Sequence, residues 1–336
     1  MNDPGPTAAI TAIEYHLPDK ILSNEELALE FPEWNVDTIT AKTGIKSRRV
    51  SAQGELSSDL AYAAARKLFD SGVIASQDID FLLFCTQSAD YALPTSACLL
   101  QDRLGIPTTA GSLDFNLGCS GFVYGLGLCQ GLIHSGQARN ILLLTGETYT
   151  KFIFPQDKSV RTIFGDAGAA TLVQKSATGA IGPFVYGSDG RGGPNLVCHK
   201  GGLRGNDTGA AAGRDALWMN GPEIFNFTLE VVPRTVRDLL ERAEMKQDDV
   251  DLFVFHQANR YMMDHLRTKL KVPKEKFVVE LEHVGNTVSS TIPIALREAA
   301  RRGELRPGMR VMLVGFGVGY SWGAAMITWS NDRAVM

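Results

Sequence analysis

The chain has 336 residues, 44% of them hydrophobic and 21% charged, with a formal net charge of −4. This length suits one large or two medium domains, the composition is that of a globular protein, and the acidic balance excludes a general nucleic-acid binder. The five cysteines (Cys85, Cys98, Cys119, Cys129 and Cys198) are irregularly spaced and form no C-x-x-C pair, which argues for free thiols in a reducing compartment and against a disulfide framework or a metal site. Met1–Pro6 lack the basic and apolar regions of a signal peptide, and no apolar run reaches the ~20 residues that span a bilayer, so a cytoplasmic protein with no membrane partner is expected.

In chain order, the first helical pattern runs from Asp59 to Phe69, with Leu60, Ala63, Ala64 and Leu68 on one face. A strand pattern follows over Gln77–Cys85. Another, Ser112–Leu117, leads to Cys119, and a small-residue helical run extends from Ser120 to about His134. Ile141–Thr145 is short, fully apolar and strand-like. The stretch Gly187–Gly213 holds Gly190, Gly192, Gly193, Gly201, Gly202, Gly205 and Gly209. It matches no phosphate-loop or dinucleotide pattern and reads as a surface loop or a flap. A second helical pattern covers Val232–Ala243.

The chain then repeats itself. Asp248–His256 mirrors Gln77–Cys85, 171 residues earlier (248 − 77), with Val250 matching Ile79, Asp251 matching Asp80, and four apolar residues after each. Phe277–Leu281 leads to Asn286 as Ser112–Leu117 leads to Cys119, and Val311–Gly315 resembles Ile141–Thr145. Fully apolar strands alternating with helices imply buried, largely parallel sheets. A duplicated α/β unit follows, with halves at 1–175 and 176–336.

Three polar residues close strand patterns. A cysteine at a strand-to-helix turn lies beside unpaired backbone N–H groups and the positive end of a helix dipole, so Cys119 is expected to favour the thiolate; a buried structural thiol is the alternative. His256 and Asn286 can each donate a hydrogen bond to a developing oxyanion, and a histidine can also shift protons, although a strand-end histidine often serves structure alone. Strand ends in open α/β sheets face the ligand crevice, so halves packed about a pseudo-twofold axis would bring all three together.

The segments Asp114–Phe122, His256-Gln257-Ala258-Asn259, Gly285-Asn286-Thr287 and Gly315–Gly323 resemble the thiolase superfamily, and most closely its class III β-ketoacyl-acyl-carrier-protein synthases. Lys42-Thr43-Gly44-Ile45 and Phe164–Ala169 extend the resemblance over nearly the whole chain. It implies a five-layered αβαβα fold and an acyltransferase that forms an acyl-Cys119 intermediate. His256 and Asn286 would hydrogen-bond a malonyl thioester during decarboxylation, and the enolate would attack the acyl group. The backbone N–H groups of Cys119 and Val318 would form the second oxyanion hole, with Val318 replacing the usual glycine and narrowing the site. The substrates would be thioesters of coenzyme A or acyl carrier protein, with no cofactor and no metal. A homodimer is expected from the resemblance.

Departures from the family pattern bear on the donor. Thr38, four residues before Lys42, replaces a tryptophan typical of acetyl-CoA users, and Lys158 replaces an arginine, so an aromatic-plus-arginine clamp on adenine is missing. Trp34 lies nearby but needs a loop shift to serve. Leu93 stands where many members place a phenylalanine, implying room for a longer or branched acyl group. Trp218 and Asn220 belong to the segment that lines the family's entrance. Arg260, Arg267 and Lys271, near one helical face with Lys269, Lys274 and Lys276 close by, read either as a solvated helix or as a dock for an acidic carrier protein.

Other readings compete. Cys…His…Asn is also the order in papain-like proteases, but their local cysteine signature and pro-segment are missing, and the duplication does not suit them. A non-catalytic carrier-binding scaffold would leave the three polar residues without a purpose. Within the family, some members pass the Cys-bound acyl group to a hydroxyl or amine. Retention of Asn286 favours condensation, because ester formation needs no enolate.

Overall fold

The computed structural model describes residues 7–177, 181–199, 201–203 and 216–330. Gly205 and Gly209 of the glycine-rich stretch lie outside the described residues. In chain order the first half contains β1 (Thr7–His16), β2 (Lys20–Ser23), α1 (Asn24–Glu30), α2 (Val36–Thr43), β3 (Ser47–Val50), α3 (Ser57–Asp70), β4 (Phe81–Cys85), α4 (Ser96–Arg103), β5 (Gly111–Phe115), α5 (Gly121–His134), β6 (Asn140–Glu147), α6 (Lys158–Arg161) and β7 (Ala167–Ser176). The second contains β8 (Ile181–Ser188), β9 (Leu196–Cys198), β10 (Leu217–Met219), α7 (Gly221–Arg242), β11 (Leu252–Phe255), α8 (Arg260–Leu270), α9 (Thr291–Arg301), β12 (Arg310–Gly317) and β13 (Ser321–Thr328).

Two sheets carry the fold. One has the order β1-β7-β6-β4-β5, the other β11-β12-β13-β8. Helices α3 and α4 cover the outer face of the first sheet, α7 that of the second, and α5 and α9 lie between the sheets. This is the five-layered αβαβα thiolase-like arrangement. Burial on both faces explains why β4, β6 and β12 are continuous apolar runs: nearly every residue in them is inaccessible. The sheets are mixed rather than largely parallel. Strand β4 runs parallel to β5 and β6, and β11 parallel to β12. Strand β7 is antiparallel to β1 and β6, and β13 to β8 and β12. Helical crossovers join the parallel strands, whereas a short turn folds β12 back onto β13, and apolarity alone does not distinguish the two connections.

Two elements differ from the sequence reading. Phe277–Leu281 is not a strand but a single parallel bridge, Phe253 to Phe277. The Gln257 side chain takes the place of further rungs, donating to the Val278 carbonyl at 3.3 Å and accepting from the Glu280 N–H at 2.7 Å. Helix α7 begins at Gly221, capped by the Asn220 side chain, well before Val232. Pro222 in its first turn is compatible with a helix start, but Pro233 inside it breaks the pattern read from sequence. Among the described residues no helix is long and apolar enough to cross a membrane.

Candidate active site

Cys119 lies between β5 and α5, and Ser120, whose hydroxyl pairs with that of Ser321 at 2.7 Å, directly precedes the helix. The strand β12 presses directly on this turn, which its glycines permit. A Cβ on Gly315 would stand 2.7 Å from the Ser120 Cα, and one on Gly317 would stand 2.9 Å from both Cβ and Sγ of Cys119. The turn after β12 carries Val318, whose backbone N–H, like that of Cys119, is directed at the Cys119 sulfur and favours its thiolate. The Val318 side chain lies against Gly118, where a Cβ would meet its Cγ1 at 2.8 Å. It therefore packs away from the chamber and does not narrow it.

His256 follows β11, and its N–H donates to the Val314 carbonyl of β12 at 2.8 Å. Asn286 sits on a turn locked to the first half. Its N–H donates to the Ile163 carbonyl at 2.9 Å, and its carbonyl accepts from Gly165 at 3.0 Å. Close approach here requires glycine twice. A Cβ on Gly165 would stand 2.5 Å from the Val284 carbonyl oxygen, and Gly285 has φ +71°. The Phe164-Gly165-Asp166 motif thus supports the asparagine from the opposite half. Asp166 holds the motif, accepting from Ser51 N at 2.9 Å, Ser51 Oγ at 2.7 Å and Thr150 N at 3.0 Å.

Cys119, His256 and Asn286 are each at most 6% exposed and line one cavity of about 230 Å³. Its other walls include Phe164, Leu196, Ile224, Met262 and Phe316. The Asn286 side chain is oriented by its Oδ1, which accepts from Val288 N at 2.9 Å, so Nδ2 faces His256 Nε2 at 3.5 Å. His256 Nδ1 lies 2.8 Å from the Thr291 hydroxyl, which itself donates to the Val288 carbonyl at 3.0 Å. That arrangement assigns the resting proton to Nδ1 and leaves a lone pair on Nε2.

Burial dominates the electrostatics. It pushes the Cys119 thiol up to about 12, with the Glu147 carboxyl adding to the rise and the Cys119 and Val318 N–H groups opposing it. The expectation that the helix terminus favours the thiolate is thus overturned: removal from water outweighs the N–H groups. Burial also lowers His256 to about 3, opposed by the Val288 backbone hydrogen bond, so the imidazole is neutral at physiological pH.

A groove of about 700 Å³ adjoins the cavity and shares Ser159, Ile163 and Asn259 with it. Thr38 and Lys42 of α2 and Lys158 of α6 line it, with Tyr261 of α8 opposite. Trp34 does not supply the missing clamp. It is 4% exposed, stacks on Phe31 at 4.3 Å, and lies beneath Lys158 Nζ at 5.2 Å. In the segment before α7, Met219 and Gly221 line the cavity; Trp218 and Asn220 do not. Alternation along β10 turns the half-exposed Trp218 outward, and Asn220 is spent capping α7.

Leu93 is 83% exposed and is not among the residues that line the cavity within this chain. Arg260 packs on Gly44, the left-handed cap of α2. With Arg267 it also lines a separate cleft, where Lys274 and Arg302 face Asp264, Glu275 and Glu304, so the charge there is nearly balanced. Lys271 is not on the helical face, because α8 ends at Leu270 and Lys271 turns left-handed at φ +56°. The sequence reading missed the apolar walls and Glu147. Phe164 and Asn259 stood in quoted motifs, and a lone acid ending the apolar run of β6 was the available sign of the other.

The family profile "3-Oxoacyl-[acyl-carrier-protein (ACP)] synthase III" matches residues 113–190, and its C-terminal counterpart matches residues 240–329. The chain is 33% identical over 331 residues to a beta-ketoacyl-[acyl-carrier-protein] synthase III of Caldanaerobacter subterraneus subsp. tengcongensis, covering 96% of this chain and 98% of that protein. It is 37% identical to "Beta-ketoacyl-[acyl-carrier-protein] synthase III 3" of Streptomyces coelicolor, covering 96% and 97%. A 2.1 Å crystal structure of a 3-oxoacyl-(acyl-carrier-protein) synthase III superimposes with TM-score 0.95 at 50% identity, covering 96% of this chain and all of that one. The priming β-ketosynthase of the R1128 polyketide biosynthetic pathway superimposes with TM-score 0.90 at 28% identity, covering 98% and 99%. Matched from near its first strand to its last, this chain belongs to the 3-oxoacyl-[acyl-carrier-protein] synthase III family.

Proposed function

We propose that Cys119 carries the acyl group, and that His256 and Asn286 stabilise the enolate, in the decarboxylative condensation of a β-ketoacyl synthase III. The observation that carries this reading is the convergence of a buried thiol, two aimed backbone N–H groups and a neutral histidine–asparagine pair in one largely apolar chamber. In the first half-reaction the thiol proton passes to His256 Nε2 and the sulfur attacks the acyl thioester carbonyl. The carrier leaves as a thiolate and takes that proton back. The buried thiol is a poor nucleophile until its proton has a local acceptor. The Cys119 and Val318 N–H groups would hold the oxyanion.

In the second half-reaction a malonyl thioester carbonyl accepts hydrogen bonds from Asn286 Nδ2 and His256 Nε2. Donation from Nε2 needs the other tautomer. The Thr291 hydroxyl can support it by rotating from the Val288 carbonyl to Nδ1. Carbon dioxide leaves, and its bonding pair becomes the enolate. The enolate carbon attacks the acyl-Cys119 carbonyl, and the C–S bond breaks. The Cys119 thiolate takes a proton from solvent, completing the cycle. No cofactor or metal enters these steps.

The donor reading follows from the groove. Lys42 and Lys158 offer charge for phosphates, but Thr38 and the covered Trp34 offer no free ring for adenine, and the Tyr261 ring across the groove is engaged by His265 at 4.1 Å and Phe225 at 5.4 Å. We propose a donor held chiefly through its pantetheine arm and phosphates, such as an acyl carrier protein or an acyl-CoA with a longer or branched chain. A homodimer is proposed through the free edge of β5, beside the exposed Leu113. Intact mass spectrometry with a panel of acyl-CoAs and acyl carrier proteins tests the reading. An adduct on wild type that Cys119→Ala loses, consumed with CO2 release on adding malonyl carrier protein, is the expected result. Adduct transfer to an alcohol or amine without CO2 release would instead establish ester or amide formation, and acetyl-CoA as best donor would overturn the donor reading.

A further inference from the structure

The duplication places a second, buried cluster opposite the active site. Helices α5 and α9 start at Gly121 and Thr291, and each is preceded by a serine in the same conformation, Ser120 at φ −88° and Ser290 at φ −84°. The position of Cys119 therefore recurs at Ser289, and that of Glu147 at Gly317, 170 residues on in both cases (289 − 119 and 317 − 147). Cys85 recurs at His256 by the offset of 171 noted above (256 − 85). In the catalytic cluster Gly317 lies against Cys119. In its image Glu147 takes the place of that glycine, and the Ser289 hydroxyl reaches its Oε1 at 3.3 Å and also reaches the Cys85 sulfur.

Glu147 is fully buried. Its carboxyl accepts from Gln87 N at 3.1 and 3.2 Å and from Ser88 Oγ at 3.0 Å, as well as from Ser289. The titratable groups around it are Cys85 of β4, Cys119 before α5, Tyr149 after β6 and Asp166 before β7, all neutral or acidic. With no cation among these neighbours, the donors of two loops hold it. One is the loop after β4. The other runs from Asn286 to Thr291 and carries both the enolate-binding amide and the hydroxyl that sets the His256 tautomer.

We propose that Glu147 is a positioning residue for condensation, fixing Asn286 and Thr291 through Ser289 from behind the chamber. The proposal rests on the assignment of decarboxylation to Asn286 and His256. It predicts a split between half-reactions: acylation needs the Cys119 and Val318 N–H groups and only the resting His256 tautomer, whereas decarboxylation needs Asn286 Nδ2 in place and the Nε2–H tautomer that a positioned Thr291 hydroxyl supports.

The test measures acylation of Cys119 and malonyl decarboxylation separately in wild type, Ser289→Ala, Glu147→Ala, Glu147→Gln and Ser289→Ala/Glu147→Ala. Misplacing a transition-state donor costs on the order of tenfold to a hundredfold. That loss is expected in decarboxylation for both alanine variants, with acylation within about threefold, partial recovery in Glu147→Gln, and no added loss in the double variant. Parallel loss of both half-reactions, no loss, or additive losses would overturn the proposal. If Glu147→Ala does not fold, Ser289→Ala decides by the same split. A wild type that takes no adduct or releases no CO2 would instead refute the underlying assignment.

Discussion

The Asp80 and Asp251 carboxylates perform the same task in the two sheets: each accepts, at 2.8 Å, the N–H of the first residue of the adjacent central strand, Asn140 for one and Arg310 for the other. The backbone N–H groups of the two aspartates answer to the carbonyls of the same residues, both at 2.9 Å. Each aspartate thus clamps the start of a parallel pair, β4 with β6 and β11 with β12. Asp80 also accepts from Arg139 N at 2.7 Å. Asp80→Ala is expected to cost about 2 kcal/mol and Asp251→Ala about 1 kcal/mol. Urea unfolding of both variants checks the ranking, and a larger loss at Asp251 would contradict it.

These two aspartates were visible in the sequence as matched positions, and the order of strands and helices around them was legible for the same reason: buried strands are apolar without interruption. Strand direction was not, because β7 and β13 are as apolar as the parallel strands beside them. His256 was legible because it ends the apolar run of β11, and Cys119 and Asn286 because each follows a glycine after a strand pattern. Their ionisation was not, since a chain pattern shows a helix start but not the burial that outweighs it at Cys119. Trp218 missed the cavity by one residue of strand register, which sends Met219 inward instead, and Asn220 missed it because its side chain caps α7.

Gly317→Ala should abolish acylation while leaving the fold intact. The added methyl would stand 2.9 Å from the Cys119 sulfur, and Gly317 lies in a strand with no left-handed conformation to lose. A fall of about a hundredfold or more in acyl-adduct formation is expected, with a small change in Tm. The rate by intact mass and the melting curve together check this.

Thr291→Val keeps the shape of the residue but removes the hydroxyl that faces His256 Nδ1 at 2.8 Å. Decarboxylation should fall about tenfold to a hundredfold, because the Nε2–H form of His256 loses its partner. Thr291→Ser should recover most of the rate. Stopped-flow CO2 measurement over the three proteins distinguishes this from a packing defect, which serine would not repair.

Burial raises Glu147 from 4.5 to about 8, outweighing the hydrogen bonds from Gln87, Ser88 and Ser289. A carboxyl raised in the folded state binds its proton more tightly there, so its contribution to stability is complete below pH 4.5 and is lost as pH rises through about 8. The Tm of wild type relative to Glu147→Gln should therefore fall between about pH 5 and pH 8. His256, lowered to about 3, has the opposite sign: its contribution is present above pH 6.5 and lost as pH falls toward 3. Melting curves across pH for wild type, Glu147→Gln and His256→Gln separate the two, and a pH-independent difference for Glu147→Gln would contradict the first.

The neck where groove and cavity share Ser159, Ile163 and Asn259 has a consequence for inhibition. Among the described residues this neck joins the groove to the chamber of Cys119, and an electrophile that enters by the groove must thread it to reach a sulfur that carries its proton until a neighbour removes it. Intrinsic warhead reactivity will therefore count for less than calibre. Slender, flexible reagents tipped with an acyl-like group will label the protein, while bulky thiol poisons of greater chemical potency will spend themselves on Cys98, which lies exposed on the surface.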